Sequence, residues 1–491
     1  MKKRILLVLL SAILMATTVF GCTSAKEKKK EVRLNPDNPV TLTVWHYYNG
    51  AQQAAFDELV SEFNATTGRE VGIYVEGFSQ GSVADLEEAL TKAVNEEVGA
   101  EKMPDIFSTY ADTAYSLQKK GRLANLSDYF EKEELDYYID SYVEEGYFSQ
   151  DDALYLFPIA KSTEIMMLNE TDWETFAQEC NVSYEDLKTT EGVTRVAELY
   201  YNWTDSLTPD ILDDGKAFYG RDSMSNYFII GMKQMGTELF EVKDATVTIN
   251  ADKDLIRRLW DNYYVPYMKG YFDFQGKFRS DDVKTGDILC YTGSTSSSMY
   301  FPDKLETEDG NKEINFKVLP APVFEGGEAV CVQQGASMAV AKSDAEHEYA
   351  SCVFLKWFTQ KENNISFVCD SGYLPVLKES NTITELNNVI AMNNINPDPI
   401  AYECLKEVMK DFERISFYTP HCFDNGYSTR KVLDYNLSDK AKADREAVEA
   451  EMAAGASKEE ALAPYLSEEA FESWYESFVT ALNEKAFATN H

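Results

Sequence analysis

Apolar Val40, Leu42 and Val44 alternate with Thr41 and Thr43, a period of two that predicts a strand with one buried face. Beyond the segment Trp45-His46-Tyr47-Tyr48-Asn49-Gly50, read as a loop, the period changes. Phe56, Leu59, Val60 and Phe63 recur at helical spacing, and the helix is expected to stop near Thr67-Gly68. Val71, Ile73 and Val75 alternate again, and Gly77 to Ser82 reads as a polar loop. Leu86, Leu90, Ala93 and Val94 share one face of a second helix, and Pro104 to Ser108 predicts a third strand. Strand, helix, strand, helix, strand is the signature of a parallel sheet covered by helices. Ligands of such sheets sit beyond the carboxyl ends of the strands, which singles out 45–50, 78–82 and 109–113.

Residues 154–169 read as an extended crossing, followed by helices from Trp173 to Leu207 and by a short strand and helix over 246–260. Asp287 to Tyr291 predicts a buried strand that runs into Gly293-Ser294-Thr295-Ser296-Ser297-Ser298. Phe316 to Leu319 and 333–340 predict two more strands, then a helix from Glu346 to Thr359 and a turn at Gly372-Tyr373-Leu374-Pro375. The last hundred residues are mostly helical, with the Ala/Glu/Lys-rich stretch Ala441 to Ala454 read as a solvated surface helix. No 20–50-residue repeat interrupts this order, and the length of 491 residues exceeds what one small core organises.

The first 21 residues stand apart. Lys2, Lys3 and Arg4 precede an uncharged run from Ile5 to Phe20, too short for a spanning helix and closed by Val19-Phe20-Gly21-Cys22. This resembles a bacterial lipoprotein signal, with Cys22 as the acylated mature N-terminus. An ordinary secretory signal with a chance cysteine is the alternative. On the lipoprotein reading 23–33 is a lysine-rich tether, and acyl chains hold the chain to a membrane.

Charge narrows the partners. The formal charge is −37, and loss of residues 1–21 takes it to −40, which disfavours nucleic acid and anionic membrane surfaces as docking partners. It leaves small ligands open. Seven cysteines follow Cys22 with no C-x-x-C pair, and only four histidines occur, so neither a zinc site nor another metal site is expected. An odd cysteine count leaves at least one free thiol. No G-x-S-x-G, H-E-x-x-H or phosphate-binding loop is present. The carboxylate pairs Asp281-Asp282 and Glu133-Glu134 keep a glycosidase alternative in view. No catalytic residue and no cofactor is assigned.

Six segments in order then resemble one family. They are the first strand running into Trp45-His46, Pro104-Asp105-Ile106, and Lys161-Ser162-Thr163 leading to Leu168-Asn169. Gly286-Asp287-Ile288 with its serine run, Gln334-Gly335-Ala336-Ser337, and Phe354-Leu355-Lys356-Trp357-Phe358 with Gly372-Tyr373-Leu374-Pro375 complete the set. Nearly the whole mature chain resembles the extracellular solute-binding proteins of ABC importers, in the cluster that takes sugars and glycerol phosphates. The resemblance implies an α/β, two-lobed fold of the type II periplasmic-binding-protein kind, each lobe a parallel-rich sheet flanked by helices. The implied lobes are 34–157 plus 322–375 and 158–321 plus 376–491. A monomer that hands its solute to permease subunits outside the cell is implied as well. A receptor feeding a sensor kinase or adhesion system is the alternative.

A sugar presents apolar C–H faces ringed by hydroxyls, so its site needs aromatic platforms and groups that both donate and accept. Trp45, Tyr47, Tyr110 and Asp112 follow the first and third strands and fit that need, although a core role for Trp45 and a helix cap for Asp112 are the plain alternatives. Tyr47 and Tyr48 point opposite ways in an extended segment, so one of them is expected to face the cleft. Ser294 begins a serine run whose N–H groups and hydroxyls suit oxygen ligands, with simple capping as the alternative. Gly335 permits a close backbone approach, and Arg221 either clamps an anion or pairs with Asp222. The resemblance adds Ser162 and Tyr373 as ligand contacts. Glycerol-phosphate members also carry an arginine in a segment that here reads Phe417-Tyr418-Thr419-Pro420-His421, flanked by Arg414 and Arg430. A neutral sugar therefore fits at least as well as a phosphate.

Overall fold

The computed structural model describes residues 32–148, 152–243, 246–307, 310–410 and 412–488, so the leader, Cys22 and most of the tether lie outside the described residues. The folded unit begins at Leu34. Its first sheet holds β1 (Val40–His46), β2 (Ile73–Ser79), β3 (Ile106–Thr109) and, arriving much later, β9 (Ser337–Val340). The order is β9-β3-β1-β2, with β1 parallel to both neighbours and β9 antiparallel at the edge.

Leu42 and Val44 are fully buried in β1, as the alternation requires, but Trp45 and His46 are buried too. The C-terminal end of β1 is covered on both faces, which single-face alternation does not reveal. Trp45 packs with Leu86, Leu90, Phe107 and Tyr115 in the core of this lobe. Two boundaries also shift. β2 runs on to Ser79 because Trp45 pairs with Phe78 and His46 with Ser79, and Val71 belongs to a short helical segment, Thr67–Val71, after α1 (Gly50–Ala65). Helix α2 (Val83–Val94) starts at a capping box. Ser82 Oγ accepts from Asp85 N, and Asp85 Oδ2 accepts from Ser82 N at 2.9 Å, an arrangement worth about 1 kcal/mol. Helix α3 (Ala111–Lys119) follows β3 directly.

The second sheet contains β4 (Glu164–Asn169), β5 (Tyr219–Arg221), β6 (Cys290–Ser294) and β7 (Phe316–Pro320), in the order β7-β4-β6-β5. Here the expectation of a parallel-rich sheet fails: β4 is antiparallel to both neighbours, and only β5 and β6 are parallel. Strand direction depends on long connections that residue periodicity does not encode. Two hairpins, Phe240–Lys243 with Thr246–Ile249 and Lys304–Thr307 with Gly310–Glu313, lie outside the sheets. A further pair, β8 (Val330–Val332) and β10 (Ser416–Tyr418), is parallel.

Among the helices, α4 (Met224–Gln234) is buried along most of its length. Helices α5 (Ala345–Phe358) and α6 (Lys361–Ser371) return to the first lobe, where α5 packs on β1 and α6 on α1. The helices Ile383–Asn393 and Pro399–Lys410 pack on α6, and the second, which also packs on β7, touches both sides. The Ala/Glu/Lys-rich segment is part of a longer helix, α7 (Gly426–Ala453), and is not a fully solvated one. Leu433, Leu437, Ala441 and Val448 form a buried stripe, and α7 packs on α4 and α8 (Glu468–Ala486).

The seven described cysteines are free, five buried and two half-buried. Burial raises the thiol of Cys331 to about 11 and those of Cys369 and Cys404 to about 12, so they are chemically quiet. Among the described residues no helix is long and apolar enough to cross a membrane.

Candidate functional site

Three stretches of chain run side by side where the two sheets meet. Phe157 exchanges backbone hydrogen bonds with Met338, Ser162 with Gln334, and Lys161 with Leu374. Gly335 has a φ of +89°, and a Cβ there would stand 3.2 Å from both Lys161 Cα and Ser162 N. The close approach that Gly335 permits is therefore to the crossing segment. Ser162 is 2 % exposed and holds Gln334 through its backbone, so its place is inside this junction.

Lys161 is fully buried here. Its Nζ lies 2.6 Å from Glu145 Oε2 and donates to Gly335 O at 2.9 Å, while Gln333 Nε2 donates to the same Glu145 oxygen at 2.7 Å. The charge is thus compensated by one carboxylate and one carbonyl, as a buried ammonium requires.

Above the junction, tyrosine hydroxyls converge. The hydroxyls of Tyr47 and Tyr373 are 3.2 Å apart, and Ala336 N donates to Tyr47 Oη at 3.3 Å. The Tyr110 hydroxyl joins Tyr47, and Ser296 meets Tyr373. Desolvation raises Tyr47, Tyr110 and Tyr373 well above the ordinary phenol range, so all three stay neutral and both donate and accept. Tyr48 lies under the cluster: its buried ring packs against His46, Phe56 and Phe367 and stands edge-on to Tyr373, with ring centroids 5.9 Å apart. Of the adjacent pair, Tyr47 is the one in the cluster. Trp45, in the core, offers no free ring face.

Asp112 stands at the start of α3, which faces the start of α7. A Cβ on Gly426 would stand 2.3 Å from Asp112 Oδ1, so only glycine admits the carboxyl at this spot. Burial pushes Asp112 up to about 6 against the opposing pull of Arg430 and the Phe423 N–H, and Glu145 adds repulsion. Next to it Thr113 Oγ1 donates to Glu87 Oε2 at 2.5 Å, and burial raises Glu87 to about 7. Lys119 and Asp424, 2.7 Å apart, tie the far end of α3 to the segment before α7. Arg430, one turn into α7, is half-buried, and its charge is felt by Asp112, Tyr110 and Tyr418. The linear segment 417–421 directs attention away from it. Counting one helical turn from Gly426 would have found it.

Arg221 is a correction. It pairs with Glu164 at 2.7 Å rather than Asp222, donates to Tyr219 Oη at 3.2 Å, and its guanidinium lies 5.1 Å from the Tyr227 ring centroid. Asn226 Nδ2 donates to Glu164 Oε1 and to Gln334 Oε1, so this cluster braces the second lobe against the crossing segment. Asp222 accepts from Arg279 N at 3.0 Å. Ser294 serves as a cap: its Oγ accepts from Ser296 N at the start of the 3₁₀ turn Thr295–Tyr300. The carboxylate pairs are occupied too, with Asp282 paired to Arg279 and Glu134 to Lys356. Among the described residues no group of three His, Cys, Asp or Glu is placed to hold a metal.

A cavity of about 710 Å³ opens where the segments after β1 and β2 come near the serine turn 295–300. Asn49 and Ser82 bound it on the first lobe, and Phe278, Ser297 and Tyr300 on the second. Phe278 and Tyr300 are 52 % and 54 % exposed. Neither was singled out from sequence, because each sits alone among polar or turn residues with no periodic partner.

A family model for bacterial extracellular solute-binding proteins matches residues 58–394. No curated protein sequence matches the chain. Several solved structures share the fold. One is UgpB from Mycobacterium tuberculosis in complex with glycerophosphocholine, at 17 % identity and a TM-score of 0.62, covering 91 % of this chain and 99 % of that one. The cyclic alpha-maltosyl-1,6-maltose binding protein from Arthrobacter globiformis aligns at 17 % identity and TM-score 0.61, over 91 % and 100 %. The ABC substrate-binding protein Lmo0181 from Listeria monocytogenes, in complex with cycloalternan, aligns at 15 % and 0.62, over 91 % and 100 %.

Proposed function

The chain belongs to the bacterial extracellular solute-binding proteins, and from that premise we propose that it captures a carbohydrate outside the cell and delivers it to ABC permease subunits. The observation that carries the ligand class is the convergence of neutral hydroxyls from Tyr47, Tyr110 and Tyr373 at the junction of the lobes. Such groups match sugar hydroxyls, each of which donates and accepts. The sugar-binding proteins that share the fold support the same class.

In this reading the lobes are 34–157 plus 322–375 and 158–321 plus 376–491, and they close on the ligand. Contacts from both sides make the closed form the tighter binder, so the ligand shifts the population toward it by its differential affinity. The protein acts as a monomer and makes or breaks no bond. Cys22 carries the acyl chains that hold it at the outer face of the cytoplasmic membrane.

One observation favours a second ligand class. Arg430 beside Asp112 gives the cleft a cation one turn into α7, as a glycerol phosphodiester would need, and the fold-sharing UgpB is in complex with glycerophosphocholine.

A thermal-shift screen of mono- and oligosaccharides, glycerol-3-phosphate and glycerophosphocholine tests both readings. Stabilisation by a saccharide supports the first and by a phosphate compound the second, whereas stabilisation by amino acids or peptides alone refutes both. Radiolabelled palmitate tests the anchor: label on wild type that is absent from Cys22→Ala supports it, and label surviving that change refutes it.

A further inference from the structure

Cys422 and Phe423 are neighbours in the chain but are buried in different cores. Cys422 belongs to the cluster of Trp45, Phe107 and Tyr115, whereas Phe423 packs on Phe240 in the cluster that also holds Phe228 and Leu433. Two residues on, Asn425 Nδ2 donates to Ala486 O at 3.3 Å and to Ala488 O at 2.9 Å, which fixes the start of α7 to the end of α8. Residues 422–426 therefore bridge the two cores, and α3 meets α7 at this bridge.

Asp112 of α3 acts on it. Its carboxyl accepts the Phe423 N–H, from the peptide group that joins the two buried side chains, and leaves no room for a Cβ on Gly426. The groups around it pull in opposite directions. Arg430 on α7 favours the carboxylate, and Glu145, just past the helix Asp140–Glu144, opposes it. Glu87 on α2, which accepts from Thr113, is itself raised by the Asp112 charge. Tyr110 and Cys422 are kept neutral by burial. Lys119 is engaged by Asp424 in an exposed pair that contributes little in water, and His421 is exposed.

Burial outweighs Arg430, so Asp112 stands at about 6 in this contact, against about 3.9 for a carboxyl in water. Forming the contact therefore takes up a proton. The contact is strengthened as pH falls through about 6 and loosened as pH rises through it.

We infer that Asp112 is a proton-operated clamp between the lobes, which holds the start of α7 on α3 when uncharged and releases it when charged, so that mild acid favours the closed chain. The inference rests on the two-lobe reading above and adds a regulation to it.

Small-angle X-ray scattering of the ligand-free mature chain at pH 7.5 and pH 5.0 tests it. The closed-to-open ratio of wild type is expected to rise roughly tenfold between these values, read as a smaller radius of gyration at pH 5.0. Asp112→Asn keeps an acceptor for the Phe423 N–H without the charge, and is expected to be as compact at pH 7.5 as at pH 5.0. Gly426→Ala drives the carboxyl off α7 and is expected to be extended at both. Far-UV circular dichroism checks that each variant folds, and Asp112→Asn carries the test by itself if Gly426→Ala does not. A wild-type radius equal at both pH values, or an Asp112→Asn chain that keeps the wild-type pH response, overturns the clamp. Repeating the scattering with the saccharide and glycerol-phosphate panel separates the two readings. Compaction by a ligand without any pH response leaves lobe closure intact, whereas a radius that neither pH nor a bound ligand changes overturns both.

Discussion

Tyr47 and Tyr373 are 326 positions apart in the chain, yet their hydroxyls lie 3.2 Å from each other where the lobes meet. One comes from the loop after β1 and the other from the turn after α6, so this contact joins the start of the first lobe to the chain's last return to it. The Tyr47 hydroxyl is engaged by Ala336 N, Tyr373 and Tyr110, whereas the Tyr373 hydroxyl meets only Tyr47 and Ser296 and keeps one hydrogen-bonding site for a ligand. Tyr373→Phe is expected to weaken saccharide binding about two- to thirteenfold, the cost of one hydrogen bond of about 0.5–1.5 kcal/mol, with little change in thermal midpoint. Tyr47→Phe also strips Ala336 N of its acceptor, so it is expected to lose about 1 kcal/mol of stability in a urea titration besides the affinity.

The Lys161–Glu145 pair is a structural element of the junction. Lys161→Met leaves a carboxylate in a buried setting without its ammonium, and a loss of about 3–5 kcal/mol is expected by chemical denaturation. Lys161→Met combined with Glu145→Gln removes both charges and is expected to recover much of that loss. A double variant no more stable than the single one would show that the pair is not coupled.

Glu87 is raised to about 7 by burial, above its unfolded value of about 4.3. The folded chain therefore binds this proton more tightly than the unfolded chain does, and the carboxylate form costs stability at high pH. As pH falls through about 7 towards 4.3, stability from this group rises. Asp112 and Asp222, both raised to about 6, act in the same direction at lower pH. His46 opposes them: burial lowers it to about 4, so it withdraws stability between pH 6.5 and 4. Glu87→Gln isolates the first effect. The variant is expected to be more stable than wild type at pH 8.5, with an advantage that shrinks towards pH 4.5; thermal melts at both values check it. A constant difference would mean that Glu87 titrates normally.

Arg430 separates the two ligand classes. With a neutral saccharide bound through the tyrosines, Arg430→Gln is expected to change affinity less than threefold. A tenfold or larger loss, confined to a phosphate-bearing ligand, would place the anion at α7 and favour the second class.

Much of the fold was legible because hydrophobic period and turn chemistry are local. Val40, Leu42 and Val44 announce β1, and Leu86, Leu90 and Ala93 announce α2. Strand direction in the second sheet was not, since β4 runs antiparallel through pairings with Ser294 and Phe316 more than a hundred residues away. The site divides in the same way. Tyr47, Tyr110 and Asp112 could be named because they follow strands of a parallel sheet, and Tyr373 because its turn matched a family motif. Trp45 was misjudged because the end of β1 is covered on both faces, and Arg221 because its partner Glu164 lies 57 positions earlier rather than next to it. Arg430 acquires meaning only once α3 and α7 face each other.

The central claim is that the tyrosine cluster between the lobes receives a saccharide. Isothermal titration calorimetry of the mature chain and of Tyr47→Phe/Tyr373→Phe against the saccharide panel tests it most directly. The account predicts one saccharide bound per wild-type chain and at least tenfold weaker binding by the double variant. Binding of amino acids or peptides with no saccharide response, or saccharide binding unchanged by loss of both hydroxyls, would contradict it.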